Sequence, residues 1–158
     1  MLRKVVSGGQ TGVDRAGLDA AVNAGFPIGG YCPKGRLAED GTIPEKYPLI
    51  EMDTPESYYR TEKNVQDSDG TLILNKGELS EGTRLTHDFA VKHGKPSLIV
   101  LLDAEEVIKP EHVVRWIEGQ LISTLNVAGP RESKCPSGIY AEALAYLECV
   151  FALIRDAA

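Results

Sequence analysis

The sequence predicts an α/β fold, a parallel sheet with helices on both faces in a single domain spanning residues 1–158, and three observations carry that prediction. Short apolar runs at 4–6, 70–75, 97–102 and 125–128 alternate with segments whose apolar residues recur at helical spacing. Gly- and Ser-containing turns join run to helix, at Ser7–Gly12 and again at Lys76–Thr83. The run Ser97–Leu102 shows no polar alternation, the pattern of a strand covered on both faces, so it is expected at the centre of the sheet. With 158 residues and 42% hydrophobic content, the chain is sized for one domain with its own core. Right-handed crossovers leave few other topologies.

Taken in order, Lys4–Val6 is the first strand, and Ser7–Gly12 turns it into a helix. Leu18, Ala21, Val22 and Gly25 are spaced as one buried face of that helix. The glycines allow a sharp turn and close approach of a ligand, and amides at the helix start suit a phosphate or carboxylate. The stretch lacks the Gly-Lys-Ser/Thr of a Walker A loop and the Gly-x-Gly-x-x-Gly of a dinucleotide fingerprint. A tight turn without a ligand is the competing reading. Pro27–Pro33 is expected as one short strand. The connection over 34–48 has turn chemistry and no helical period, and connections of this length are often functional. Lys34 and Arg36 leave a strand end, where open sheets place ligands, although a solvated charged loop fits them equally. Leu49–Met52 returns as a brief strand.

A helix is expected through Asp67, with Thr54 as its cap before Pro55. Gly70–Asn75 is a buried strand by composition, and a helix from Arg84 to His93 follows, stopped by Gly94 and Pro96. Val113, Trp116, Ile117, Gln120 and Leu121 lie at helical spacing, Gln120 alone breaking the stripe. Leu125–Ala128 is the last strand. Beyond the loop Gly129–Gly138, a final helix places Leu144, Leu147, Phe151 and Ile154 on one face. Loops beginning at Gly8, Cys32, Lys76 and Gly129 leave strand carboxyl ends, where ligands of open α/β sheets bind. The strand, turn and helix start at Gly8 recurs at Lys76, which predicts one shared crevice.

A net charge of −6 argues against nucleic acid as partner, so an anionic ligand would need a local cluster of N–H groups and cations. No signal-like or membrane-spanning run is seen, and the reading is a soluble cytoplasmic protein. Cys32, Cys135 and Cys149 are odd in number and widely spaced, which fits a reducing compartment and neither a disulfide framework nor a zinc site. His87, His93 and His112 show no ligand spacing. Cys149 is expected in the core, whereas Cys32 and Cys135, each followed by Pro, are expected in loops near a ligand. No His is placed by sequence to activate either as a nucleophile.

The segments 7–19 (SGGQTGVDRAGLD), 31–41 (YCPKGRLAEDG), 80–86 (SEGTRLT) and 126–133 (NVAGPRES) resemble, in order and over nearly the whole chain, the molybdenum carrier family. Its characterised members are molybdenum-cofactor carrier proteins of the Rossmann-like SLOG superfamily. The resemblance implies a Rossmann-like fold, the molybdenum cofactor (molybdopterin) as a small anionic cargo, and no catalytic residue. It also implies molybdenum-cofactor-dependent enzymes or biosynthesis proteins as recipients, and a homo-oligomer, a tetramer. Gly9, Gln10, Thr11 and Gly12 would then form one amide cradle, while Ser80, Gly82 and Thr83 would form a second. Arg131 and Lys34 would add charge, with Gly8, Arg36 and Asn75 alongside. Arg84 either faces the pocket or starts an exposed helix, and Asp14 reads as a first-turn acid complementing the helix dipole. A carrier must release its cargo, so no protein ligand to the metal is expected. Phosphoribohydrolases of the same superfamily carry Pro-Gly-Gly-x-Gly-Thr-x-x-Glu, and Thr86 stands here in place of that acid, with Glu81 offset. A nucleotide-binding sensor domain would use the same cradles.

Overall fold

Five parallel strands form the central sheet in the computed structural model, which describes residues 1–158. In chain order the elements are β1 (Lys4–Val6), α1 (Val13–Asn23), β2 (Ile28–Gly29), β3 (Tyr31–Cys32), β4 (Leu37–Ala38), β5 (Gly41–Thr42) and β6 (Ile50–Glu51). Then come α2 (Ser57–Gln66), β7 (Gly70–Asn75), α3 (Glu81–Lys92), β8 (Ser97–Leu101), α4 (Pro110–Gly119), β9 (Thr124–Ala128) and α5 (Tyr140–Asp156). The sheet order is β2-β1-β9-β7-β8. Helices α1, α4 and α5 pack together on one face, while α2 pairs with α3 on the other.

Counting from β9 as the first strand turns this order into 3-2-1-4-5, the strand order of doubly wound nucleotide-binding sheets. The last strand in sequence thus sits where such sheets place their first. Helices leave β9 and β7 toward opposite faces, so their carboxyl ends open a crevice between them.

The strand expected at the centre lies at the edge. Apolar side chains report which faces are covered, not whether both backbone edges are paired, and β8 pairs with β7 alone. The central strand is β9, flanked by β1 and β7.

Pro27–Pro33 forms two strands instead of one. Gly30 adopts φ 126°, and a Cβ there would lie 2.2 Å from the Ser7 carbonyl oxygen. The chain therefore bends away, and β3 pairs with β6 outside the main sheet. The following connection contains the β4–β5 hairpin. This flap buries Cys32, Ile43, Tyr47 and Leu49 against Leu18 of α1.

Other expectations shift for local reasons. Val22 is exposed, because α1 buries Ala16 and Ala20 toward the main core and Leu18 toward the flap. Leu121 is also exposed, in a left-handed turn past α4 at φ 56°, and Ile122 takes the core position. Cys149 is exposed, while Cys32 and Cys135 are buried. Leu147 and Phe151 are buried on α5 as expected. The cap of α2 is Glu56, two residues after Thr54, and α3 starts at Glu81, three residues before Arg84, with Ser80 as its cap. No helix is long and apolar enough to cross a membrane.

Gly30→Ala combines backbone strain with overlap on Ser7 and is expected to cost about 2–4 kcal/mol. Gly41→Ala, also at positive φ but with nothing near its Cβ, should cost only the strain, about 1 kcal/mol. Urea unfolding midpoints of the two variants check the difference.

Candidate functional site

The Ser7–Gly12 turn uses its amides internally. The Gly9 N–H donates to Ser7 Oγ at 3.3 Å, Gln10 to the Asp14 carboxylate at 3.2 Å, and Thr11 to Gln10 Oε1 at 3.0 Å. Val13 at the start of α1 donates to the Pro130 carbonyl at 3.3 Å. The glycines make room for the protein itself. A Cβ on Gly8 would lie 1.7 Å from Arg60 Nη1, one on Gly9 2.5 Å from Leu49 Cδ1, and one on Gly12 2.5 Å from the Pro130 carbonyl oxygen. Three of the four amides of the cradle expected at Gly9–Gly12 therefore already have acceptors within the protein.

The start of α5 is filled in the same way. Glu132 Oε1 accepts the N–H groups of Ile139 at 2.5 Å and Tyr140 at 2.8 Å. This helix follows β9, the position at which doubly wound sheets seat a dinucleotide pyrophosphate. A carboxylate occupies it here.

Open N–H groups remain at the other end of the crevice. A cleft of about 380 to 540 Å³ scale would hold a small ligand, and the one between the β7 and β9 tips measures 540 Å³. Ser57, Tyr58, Arg60 and Thr61 of α2 form one wall, and Ser80–Thr83 with Leu85 and Thr86 form another. Ala128, Gly129, Arg131 and Lys134 close it, above Gln10 and Asp14. The amides of Ser57 and Tyr58 at the start of α2, and of Glu81 and Gly82 at the start of α3, have no protein acceptor. Ser80 Oγ accepts the Thr83 N–H at 3.4 Å and contacts Thr83 Oγ1 at 3.0 Å.

Beneath these groups, Arg60 Nη1 lies 3.2 Å from Asp14 Oδ2. Burial is the largest influence on Asp14 and raises its pKa, against the pull of Arg60 and the Gln10 amide. Arg60 Nε is buried and has no acceptor. A buried donor left open is costly unless a ligand or water meets it. Three cations, Arg60, Arg131 and Lys134, and two open helix starts thus face one space, a set suited to phosphate oxygens. No group of three or more His, Cys, Asp or Glu side chains is placed to hold a metal ion.

Of the residues expected from sequence, Gln10, Ser80, Gly82, Thr83 and Arg131 meet in this cleft. Gly8 and Gly9 are buried within the turn, and Thr11 and Gly12 line a separate depression of 380 Å³ with Arg15 and Tyr47. Lys34 is exposed on the flap. Arg36 donates to the carbonyls of Ile43, Pro44, Tyr47 and Leu49, so its charge holds the flap together. Asn75 is buried and donates to the Gly77 carbonyl at 2.9 Å, away from the cleft walls. Arg84 is exposed and donates to the Leu79 carbonyl, which resolves it as a helix-start residue. Burial pushes the thiols of Cys32 and Cys135 up, so neither is poised as a nucleophile.

Sequence reasoning missed Arg60, Lys134 and Tyr58. One signal was present: Ser57, Arg60 and Asn64 put polar groups at i, i+3 and i+7, where a purely structural α2 would carry apolar residues.

The flap is latched over the turn. Glu39 accepts from the Thr11 hydroxyl, from Ser133 N at 3.1 Å and from Ser133 Oγ at 2.5 Å. It also lies 3.2 Å from Arg131 Nε, and Arg15 grips Asp40 through both terminal nitrogens at 2.5 and 2.9 Å. Burial alone would raise the pKa of Glu39, but the Ser133 and Thr11 hydrogen bonds and Arg131 together hold it below the ordinary 4.5. Its stabilisation is therefore full above pH 4.5 and fades as pH falls through the lower folded-state value. Glu39→Gln should lose about 1 kcal/mol at pH 7. The gap from the unsubstituted protein should close in acid, as measured by urea titrations at several pH values.

Residues 5–151 match the circularly permutated YpsA SLOG family. A crystal structure of the "putative molybdenum carrier protein" of Syntrophus aciditrophicus SB superposes with a TM-score of 0.86, at 47% identity over 94% of both chains. An ester hydrolase C11orf54 homolog of Danio rerio is 26% identical over 132 residues, 84% of this chain. The chain spans 35% of the length of that relative. Strand order, which reads 3-2-1-4-5 only when counted from the last strand, agrees with the permutation in the family's description. The chain belongs to the circularly permuted YpsA SLOG family.

Proposed function

We propose that this protein is a carrier that holds the molybdenum cofactor, or its metal-free pterin, in the cleft between β7 and β9 without transforming it. The observation that carries the reading is that Arg60, whose buried Nε has no acceptor, lines the same cleft as the open amides of Glu81 and Gly82. Those donors fit a terminal phosphate, and the 47% identical relative bears a molybdenum-carrier name. Arg131 and Lys134 would add charge-assisted contacts. Holding the cargo through its anionic groups, without a bond to the metal, permits its release to a molybdenum-cofactor-dependent enzyme.

Binding fits the cleft better than hydrolysis. Its buried acid, Asp14, is engaged by Arg60 and the Gln10 amide, and the Thr86 hydroxyl donates to the Gly82 carbonyl at 3.0 Å. Neither Asp14 nor Thr86 is held free to activate water, and Glu81, the remaining acid of the lining, is solvent-exposed at the start of α3.

Gly82→Asp separates binding from folding. Nothing lies within 4 Å of a Cβ there, and an acid in the first turn of a helix is favourable. The variant should unfold at the same temperature or slightly higher, yet retain at least tenfold less cofactor when purified from a cofactor-producing host. Pterin fluorescence after oxidation, with metal analysis, measures the retention. Equal retention by the variant would refute the reading.

A further inference from the structure

The cleft has a second chemical character beside its cationic one. Tyr58 stands in its wall, 45% exposed although it is a large aromatic side chain. Its ring is held edge-on by Phe89, at 5.1 Å and 78°, and by Tyr59, at 5.3 Å and 75°. Phe89 and Ala90 of α3 are buried together with Val65 of α2. The buried Phe89 ring therefore anchors one side of Tyr58 in the free protein, which reduces the side-chain freedom lost when something packs on it.

Leu85 extends this apolar corner within the same cleft and packs on the cluster containing Phe89. Leu85 lies one helical turn beyond Gly82, so the corner begins about 5 Å along the axis from the open amides. A phosphate at the start of α3 would place a group attached to it against Tyr58. Arg60, two residues after Tyr58 on the same helix, also lines the cleft and pairs there with Asp14. Backbone amides and guanidinium discriminate charge, whereas an aromatic face discriminates flat rings.

Resting on the carrier reading, we infer that Tyr58 is the stacking platform for a planar heteroaromatic ring, and that the cleft selects ligands joining such a ring to a single phosphate. A pterin phosphate and a purine nucleoside monophosphate share this chemistry. A dinucleotide is disfavoured, because Glu132 already occupies the amino end of α5.

The test is calorimetric titration of the full chain with three probes: metal-free molybdopterin, guanosine 5′-monophosphate and ribose 5-phosphate. The unsubstituted protein should bind at least one ring-bearing phosphate about tenfold or more tighter than ribose 5-phosphate. Tyr58→Leu, which keeps apolar contact with Phe89 but removes the flat face, should abolish that preference and leave ribose 5-phosphate affinity within twofold. Tyr58→Phe should restore it. Preference for molybdopterin or for the nucleotide identifies the source of the ring, and either supports the platform. Equal binding of all three probes, or an unchanged preference in Tyr58→Leu, overturns the platform while leaving the phosphate site standing. No binding of any probe overturns both.

Discussion

Glu132 places its carboxylate on the first amides of α5, the Pro130 carbonyl takes the Val13 amide at the start of α1, and Asp14 takes the Gln10 amide in the turn before it, so the protein's own acceptors occupy the positions beside β1 and β9. A helix start can satisfy only so many acceptors, and an amide already bonded to a carboxylate offers a ligand little. The open amides of the cleft are those at the starts of α2 and α3. Asp14 also holds Arg60 at the floor of that region. The same carboxylate closes the Gly-rich turn and presents the guanidinium.

The fold supplies the location. Because β9 is last in sequence and central in the sheet, the loop that follows it, with Arg131 and Lys134, faces the loop that follows β7. Neighbouring parallel strands whose helices leave toward opposite faces cannot have their crevice filled by either crossover. The flap over residues 31–51 then ties the arrangement together. Glu39 and Asp40 link it to the turn before α1 and to the loop after β9.

Elements whose causes are local were legible from sequence. Gly70–Asn75 is a strand by composition and is one, and the helix expected from Arg84 to His93 is present, although it begins three residues earlier, at Glu81 behind the Ser80 cap. Features that depend on distant pairing were not. The apolarity of Ser97–Leu101 could not report that one edge of it lacks a partner. Arg60 meets Asp14 across 46 positions, and no spacing rule connects them. The three glycines of 8–12 were legible as close approaches but not as approaches to what. A glycine leaves the same signature whether the space admits a ligand or, as at Gly8, the protein's own arginine.

The account places the receptive amides at α3 and denies them at α5, and backbone resonances distinguish the two directly. Titrating the 15N-labelled protein with inorganic phosphate should move the Glu81 and Gly82 amides and the Arg60 Nε–H saturably, while Ile139 and Tyr140 stay in place. Saturable movement of Ile139 and Tyr140 with Glu81 and Gly82 unmoved would contradict it.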